Sequence, residues 1–66
     1  MRYFKKRCKE RLSIFCRVEI EKDVKSKLYY LTFRSFTNEI KKILSFKQMR
    51  DEEQVNELIE EIYREL

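Results

Sequence analysis

Residues 28–36, with the sequence LYYLTFRSF, are rich in the aromatic and β-branched side chains that favour β-strands. Alternate residues of a strand point to opposite faces of its sheet. The side chains predicted to face the core are Tyr29, Leu31 and Phe33. Those predicted to face outward are Tyr30, Thr32 and Arg34. This stretch therefore predicts a strand with one buried face.

A second alternating stretch, residues 12–20 (LSIFCRVEI), precedes the first, and the polar residues 21–27 connect the two. Its apolar positions are Leu12, Ile14, Cys16, Val18 and Ile20. Two such runs joined by a short polar connection predict an antiparallel hairpin of about 12–20 and 28–36.

The segments on either side of the hairpin predict helices. Downstream, Thr37 or Asn38 would cap a helix of about 38–49. A second helix, about 52–65, has apolar residues at helical spacing: Val55, Leu58, Ile59, Ile62, Tyr63 and Leu66. One continuous helix is the alternative, because no Gly or Pro separates the two. Residues 2–11 fit a basic helix or an extra strand. The sequence thus predicts one α+β domain over 1–66, a hairpin packed on two C-terminal helices.

The size and composition of the chain limit what can stabilise it. A chain of 66 residues has a marginal core. With no His and only two Cys, the sequence predicts neither a structural zinc site nor any other metal or cofactor. Small domains without such supports often associate, so we expect a homodimer. Its predicted seam on the last helix is Val55, Leu58, Ile62 and Leu66.

Charge is distributed unevenly along the chain. Residues 1–11 contain six basic residues and one acidic residue, a net of +5, whereas residues 50–66 contain two basic and seven acidic residues, a net of −5. Clustered cations neutralise phosphates, so this pattern predicts a nucleic-acid-binding protein of regulator type. The predicted phosphate contacts are Arg2, Lys5, Lys6, Arg7, Lys9, Arg11, Arg17 and Arg34. The predicted base or partner contacts are Tyr3, Phe4, Tyr30 and Thr32.

The order strand, helix, helix across residues 28–66 resembles the ribbon-helix-helix repressors. That resemblance implies intertwined dimers whose paired strands enter the major groove, with Tyr30, Thr32 and Arg34 contacting the bases. Two features depart from the family pattern. The turn at residues 51–53 is acidic and would repel a phosphate, and residues 12–20 offer the second strand a partner within its own chain.

The alternative hypothesis is a protein-binding inhibitor or adaptor, of the kind that phages, viruses and plasmids direct against host enzymes. Its anchors would be the aromatic side chains, which often dominate binding energy: Tyr3, Phe4, Phe15 and Tyr30. The acidic last helix is either a solvated face or a docking surface for a basic partner. A continuous basic face would favour nucleic acid, whereas an exposed apolar patch would favour protein.

An enzyme is not expected, because general acid–base work near neutral pH usually needs His and none is present. Cys8 lies among Lys6, Arg7 and Lys9, which predicts a lowered thiol pKa but provides no base. Neither a secretory signal nor a run of about 20 apolar residues is present. The sequence therefore predicts a cytoplasmic location without membrane association.

Overall fold

The structure is a computed structural model that describes residues 2–12, 14 and 16–66. The elements in chain order are α1 (Arg2–Arg11), β1 (Arg17–Asp23), β2 (Leu28–Arg34), β3 (Glu39–Ser45), α2 (Phe46–Arg50) and α3 (Glu52–Glu65). The three strands form one antiparallel sheet in the order β1-β2-β3. The predicted α+β class, the hairpin and the presence of two C-terminal helices are confirmed.

The helix predicted over 38–49 is wrong for most of its length, because Glu39–Ser45 is a strand. β3 pairs with β2 along seven residues, from Arg34 opposite Glu39 to Leu28 opposite Ser45. Without β3, the backbone groups on that edge of β2 would lack strand partners. Pairing along the whole strand therefore outweighs the helical spacing of the apolar residues, and only Phe46–Arg50 remains helical.

The start of the first predicted strand is also wrong, since β1 begins at Arg17 rather than at residue 12. Residues 2–11 are a helix, which decides between the two predicted alternatives. Leu12 extends the buried side of α1, and its amide donates to the carbonyl of Cys8 at 2.8 Å. Phe4, Cys8 and Leu12 are four residues apart, so a helix buries all three on one side. This burial outweighs the two-residue alternation that predicts a strand from residue 12.

The helices cover one face of the sheet, and the core lies between them. Its centre is β2, whose Tyr29, Leu31 and Phe33 are buried as predicted. Phe4 from α1 packs edge-on against Phe33, with ring centroids 6.4 Å apart. The other buried residues are Cys8, Leu12, Leu44, Met49, Val55, Leu58, Ile59 and Ile62.

The predicted dimer seam on α3 is part of this core. Val55 and Ile62 are fully buried within the chain, Leu58 is nearly so, and Leu66 packs against the same cluster. These side chains already cover the sheet of their own chain, so they are not available to a second copy. A dimer would have to use another surface.

Side-chain caps separate the two C-terminal helices. Ser45 begins α2 with a capping box, in which its hydroxyl accepts from the amide of Gln48 and the Gln48 side chain accepts from the amide of Ser45. Asp51 then ends α2 and begins α3, and its carboxylate accepts from the amides of Glu53 and Gln54. The chain therefore has two helices here rather than one. Across the described residues, no helix combines the length and apolarity needed to cross a bilayer.

Candidate nucleic-acid interface

Helix α1 carries three stripes of side chains with different surroundings. One stripe, Phe4, Cys8 and Leu12, faces the core. A second, Tyr3, Arg7 and Arg11, faces α3. The third stripe is exposed and contains Arg2, Lys5, Lys6 and Lys9. These four cations follow the spacing i, i+3, i+4, i+7, which places them along one side of a helix. We call this set the cationic stripe.

Arg11 joins α1 to α3. Its Nε and a terminal nitrogen donate to the two carboxylate oxygens of Glu60 at 3.0 and 2.9 Å. The guanidinium carbon also lies 4.4 Å from the centre of the Tyr63 ring, within the range of a cation–π contact. The hydrogen bonds from Arg11 lower the pKa of the Glu60 carboxyl. Arg11, predicted to bind phosphate, is instead engaged with the acidic helix.

Arg7 and Tyr3 converge on the Asn56 side chain. The Arg7 Nε donates to the Asn56 Oδ1 at 2.9 Å, and the Tyr3 hydroxyl donates to the same oxygen at 3.0 Å. Arg7 also forms an ion pair with Glu10. These contacts hold two predicted nucleic-acid contacts against α3. Asn56 could not be predicted as part of this site, since nothing in a single polar residue on a helix indicates its partners.

Phe4, predicted to contact a base or a partner, is fully buried in the core. Among the other predicted aromatic anchors, Tyr30 is partly exposed on the outer face of the sheet. Phe15 lies outside the described residues. The two most exposed large apolar side chains of the described residues were not predicted as contacts: Ile14 and Phe36, with 90% and 106% of their reference areas exposed.

These two side chains line an open cleft of about 750 Å³. The cleft is bounded by α1, the start of β1 and the end of β2. Among the described residues, those that line it are Cys8, Lys9, Ile14, Cys16, Arg17, Val18, Arg34, Ser35 and Phe36. Lys9 belongs to the cationic stripe as well, so the stripe continues to the edge of the cleft. The cleft thus combines an apolar lining with three cationic residues.

Arg17 and Arg34 are direct cross-strand partners beside the cleft. Arg34 is held on the outer face of the sheet by two carboxylates, at 2.6 Å from Glu39 and 3.1 Å from Glu19. Its hydrogen bond lowers the pKa of the Glu39 carboxyl. Arg17 is exposed, and no ion pair of its side chain occurs within the described part of the chain. Arg17 therefore has more capacity than Arg34 to bind an added anion.

The outer face of the sheet does not continue the cationic surface. Thr32 lies between Glu19 and Lys41, and Tyr30 lies between Glu21 and Ile43. Carboxylates therefore flank the side chains that the ribbon-helix-helix resemblance assigns to base contacts. β2 is paired on both edges within its own chain, so it cannot form the two-chain ribbon of that family. The implied arrangement is wrong.

The Cys8 thiol has the opposite character from the one predicted. Burial, with a smaller contribution from the neighbouring Cys16, raises its pKa from 9.0 to about 12. Burial also raises the pKa of Cys16. Both thiols are therefore neutral near pH 7. Within residues 2–12, 14 and 16–66, no cluster of three or more His, Cys, Asp or Glu side chains could hold a metal ion.

Comparison with protein families, characterised proteins and solved structures found no match.

Proposed function

We propose that this protein is a small cytoplasmic regulator that binds nucleic acid through its phosphates, without enzymatic activity. The observation that carries the proposal is the cationic stripe, four exposed cations on the side of α1 that does not face α3. Arg17 adds a fifth exposed cation, and it lines the same cleft as Lys9. Arg7, Arg11 and Arg34 are not included, because carboxylate or amide groups already engage them.

The dimensions of the stripe suit a phosphate backbone. Residues 2 and 9 are seven positions apart, which is about 10 Å along a helix at 1.5 Å per residue. Along one strand of a duplex, about three phosphates fall within that length, at 3.4 Å of axis each. The flexible Lys side chains can reach phosphates as point charges, and the Arg2 guanidinium can bind one through two donors. Several simultaneous phosphate contacts of this kind support sequence-independent binding.

The distribution of acidic residues supports the same interpretation. Glu60 faces α1 and pairs with Arg11, and Glu61 pairs with Lys42 of β3. These two carboxylates are occupied within the fold. The single acidic residue of α1, Glu10, pairs with Arg7. Part of the negative charge of α3 is therefore paired with Arg11 and Lys42, which do not belong to the cationic stripe.

The test is a binding titration by fluorescence anisotropy, with labelled duplex and single-stranded DNA across about 50–200 mM salt. The logarithm of the affinity should fall linearly with the logarithm of salt concentration. The double variant Lys5→Ala/Lys6→Ala should reduce the magnitude of that slope by ~1.8 on duplex, at about 0.9 per lost phosphate contact.

The matched control is Lys25→Ala/Lys47→Ala, which removes the same charge. Lys25 lies in the loop between β1 and β2, and Lys47 lies in α2, both at the end of the sheet away from Arg17 and Arg34. This control should leave the slope nearly unchanged. Absence of binding at ~50 mM salt, where charges are least screened, would contradict the proposal, as would equal slope changes in the two double variants.

A protein-binding inhibitor or adaptor, as in some phage and plasmid proteins, is the second candidate. The exposure of Ile14 and Phe36 beside one cleft favours it, because exposed apolar groups often mark binding sites. A protein without affinity for nucleic acid at low salt would leave this candidate as the better one. Its anchors would then be Ile14, Phe36 and Tyr30 rather than Phe4.

A further inference from the structure

We infer that the cleft beside α1 binds one unstacked base of a single strand, which stacks on Phe36 while Arg17 and Lys9 contact the neighbouring phosphates. This inference rests on the proposed function and names its preferred substrate class, single-stranded nucleic acid. Three features support it: the exposure of Phe36, the apolar part of the cleft lining and the cations at the cleft.

A tight turn holds Phe36 in solvent. The Ser35 amide donates to the Asn38 carbonyl at 2.8 Å, closing the connection between β2 and β3. The Ser35 hydroxyl accepts from the amides of Thr37 and Asn38, at 3.4 and 3.0 Å. Phe36 is one of the two residues enclosed by this turn, and its side chain is fully exposed. An aromatic ring displayed in water by such a turn can offer its face to a planar partner.

Part of the lining of the cleft is apolar and uncharged. Cys8, Cys16 and Val18 contribute to the lining, and both thiols stay protonated near neutral pH because burial raises their pKa values. Exposed Ile14 adds a further apolar group. Such a lining fits the apolar face of a base and imposes no particular hydrogen-bonding edge. The site therefore predicts stacking with little sequence preference.

Cations adjoin this apolar lining. Arg17 lies directly opposite Arg34, and like charges at facing positions of two strands are unfavourable. Glu19 and Glu39 balance Arg34, whereas Arg17 is left as an exposed cation at the cleft. Lys9 connects the same cleft to the cationic stripe. A nucleic-acid backbone that follows the stripe would thus arrive at the cleft, where the exposed Arg17 could bind a phosphate.

This arrangement favours a single strand over a duplex. In a duplex the bases are stacked and paired, and extruding one costs a few kcal/mol. In a single strand the bases are available, and stacking on one aromatic side chain is worth about 1–3 kcal/mol. The cationic stripe should contribute to both forms, whereas Phe36 should contribute only to the single strand.

The experiment compares binding of labelled oligo-dT and of a duplex of equal length at one fixed salt concentration. Phe36→Ala should weaken single-strand binding by about 5- to 140-fold, which is the stacking energy converted at 1.4 kcal/mol per factor of ten. Duplex binding should change by less than about twofold. Tyr30→Ala is the matched control, because Tyr30 is an exposed aromatic residue outside the cleft, and it should leave both affinities unchanged.

Phe36→Trp supplies a direct readout, because the chain has no other Trp. This variant should keep single-strand binding, and its indole fluorescence should be quenched by oligo-dT but not by duplex. Two results would overturn the inference and leave phosphate binding by α1 in place: single-strand binding that Phe36→Ala leaves intact, or indole fluorescence of the Phe36→Trp variant that oligo-dT does not change. Failure of both nucleic acids to bind at ~50 mM salt would instead remove the proposed function itself.

Discussion

At the scale of single residues, the Cys8 thiol provides a pH-dependent test of burial in α1. Its pKa is about 12 in the folded chain against an ordinary 9.0. Because folding raises this pKa, the contribution of Cys8 to the free energy of unfolding is fully present below pH 9. It is lost as pH rises toward 12, because the thiol of the unfolded chain releases its proton first. By pH 10 the loss should be on the order of 1 kcal/mol.

We expect the free energy of unfolding in urea to show this loss between pH 8 and pH 10. In Cys8→Ala the loss should be smaller, since the titrating group is absent, and the comparison cancels other groups that titrate in this range. Alkylation at pH 8 should modify Cys16 before Cys8, because Cys16 is the less buried thiol. Fast alkylation of Cys8 in the folded chain would contradict the buried position.

Cys8 also illustrates why sequence neighbours mislead. Lys6, Arg7 and Lys9 are adjacent to it in the chain and predict a lowered pKa. A helix turns these neighbours to other sides while Cys8 faces the core between Phe4 and Leu12. Arg7 and Lys5 differ in the same way, since their charge is identical and only the helix phase places one against Asn56 and the other in solvent. The positive charge of residues 2–11 can be read from the sequence, but which side chains face the core, α3 or solvent cannot.

At the scale of elements, Asp51 separates two helices and should be a sensitive position. Its carboxylate accepts from the amides of Glu53 and Gln54 at the start of α3. Asp51→Ala should lower the free energy of unfolding by about 0.5–2 kcal/mol, the usual cost of losing such a cap. Asp51→Asn is the control and should cost less, because an amide oxygen can accept the same bonds. Thermal melting followed by circular dichroism measures both, and equal losses would show that the cap is unimportant.

The elements differ in how far the sequence could predict them. α3 was predictable because its apolar positions repeat at helical spacing over the whole segment, and four of them are buried. β3 was not, because its inner face includes Lys42 opposite Leu31. The Lys42 stem lies on the core side while its Nζ reaches Glu61 at 3.1 Å. A lysine in an apolar row breaks the alternation that marks a strand, and its partner on α3 is known only from the fold.

At the scale of the whole molecule, the cations of α1 divide into two groups, one that pairs with the acidic helix α3 and one that is exposed to solvent. One side of α1 meets α3, where Arg11 and Glu60 pair. Another side presents the cationic stripe to solvent. The sequence shows the charge of each segment but not which side of a helix faces its neighbour. On this basis we propose the cationic stripe, Arg17 and the cleft as the site, with Phe36 rather than Tyr3 or Phe4 as the aromatic contact.

This arrangement makes α1 part of the domain rather than a detachable basic tail, and deletion of residues 1–12 tests that. The deletion removes Phe4, Cys8 and Leu12 from the core and uncovers Phe33. Losing a buried Phe side chain typically costs about 3–5 kcal/mol and a buried Leu side chain about 2–5 kcal/mol. A chain of this size has roughly 3–10 kcal/mol in total, at 0.05–0.15 kcal/mol per residue.

The shortened chain should therefore show no cooperative thermal transition by circular dichroism. The matched variant Lys5→Gln/Lys6→Gln should melt as the intact protein does, because surface substitutions away from caps and cores usually change stability by less than about 0.5 kcal/mol. A cooperative transition near that of the intact chain after deletion would contradict the burial of α1. Because the deletion would remove fold and cations together, only substitutions that leave Phe4 and Leu12 in place can separate binding by α1 from its contribution to the core.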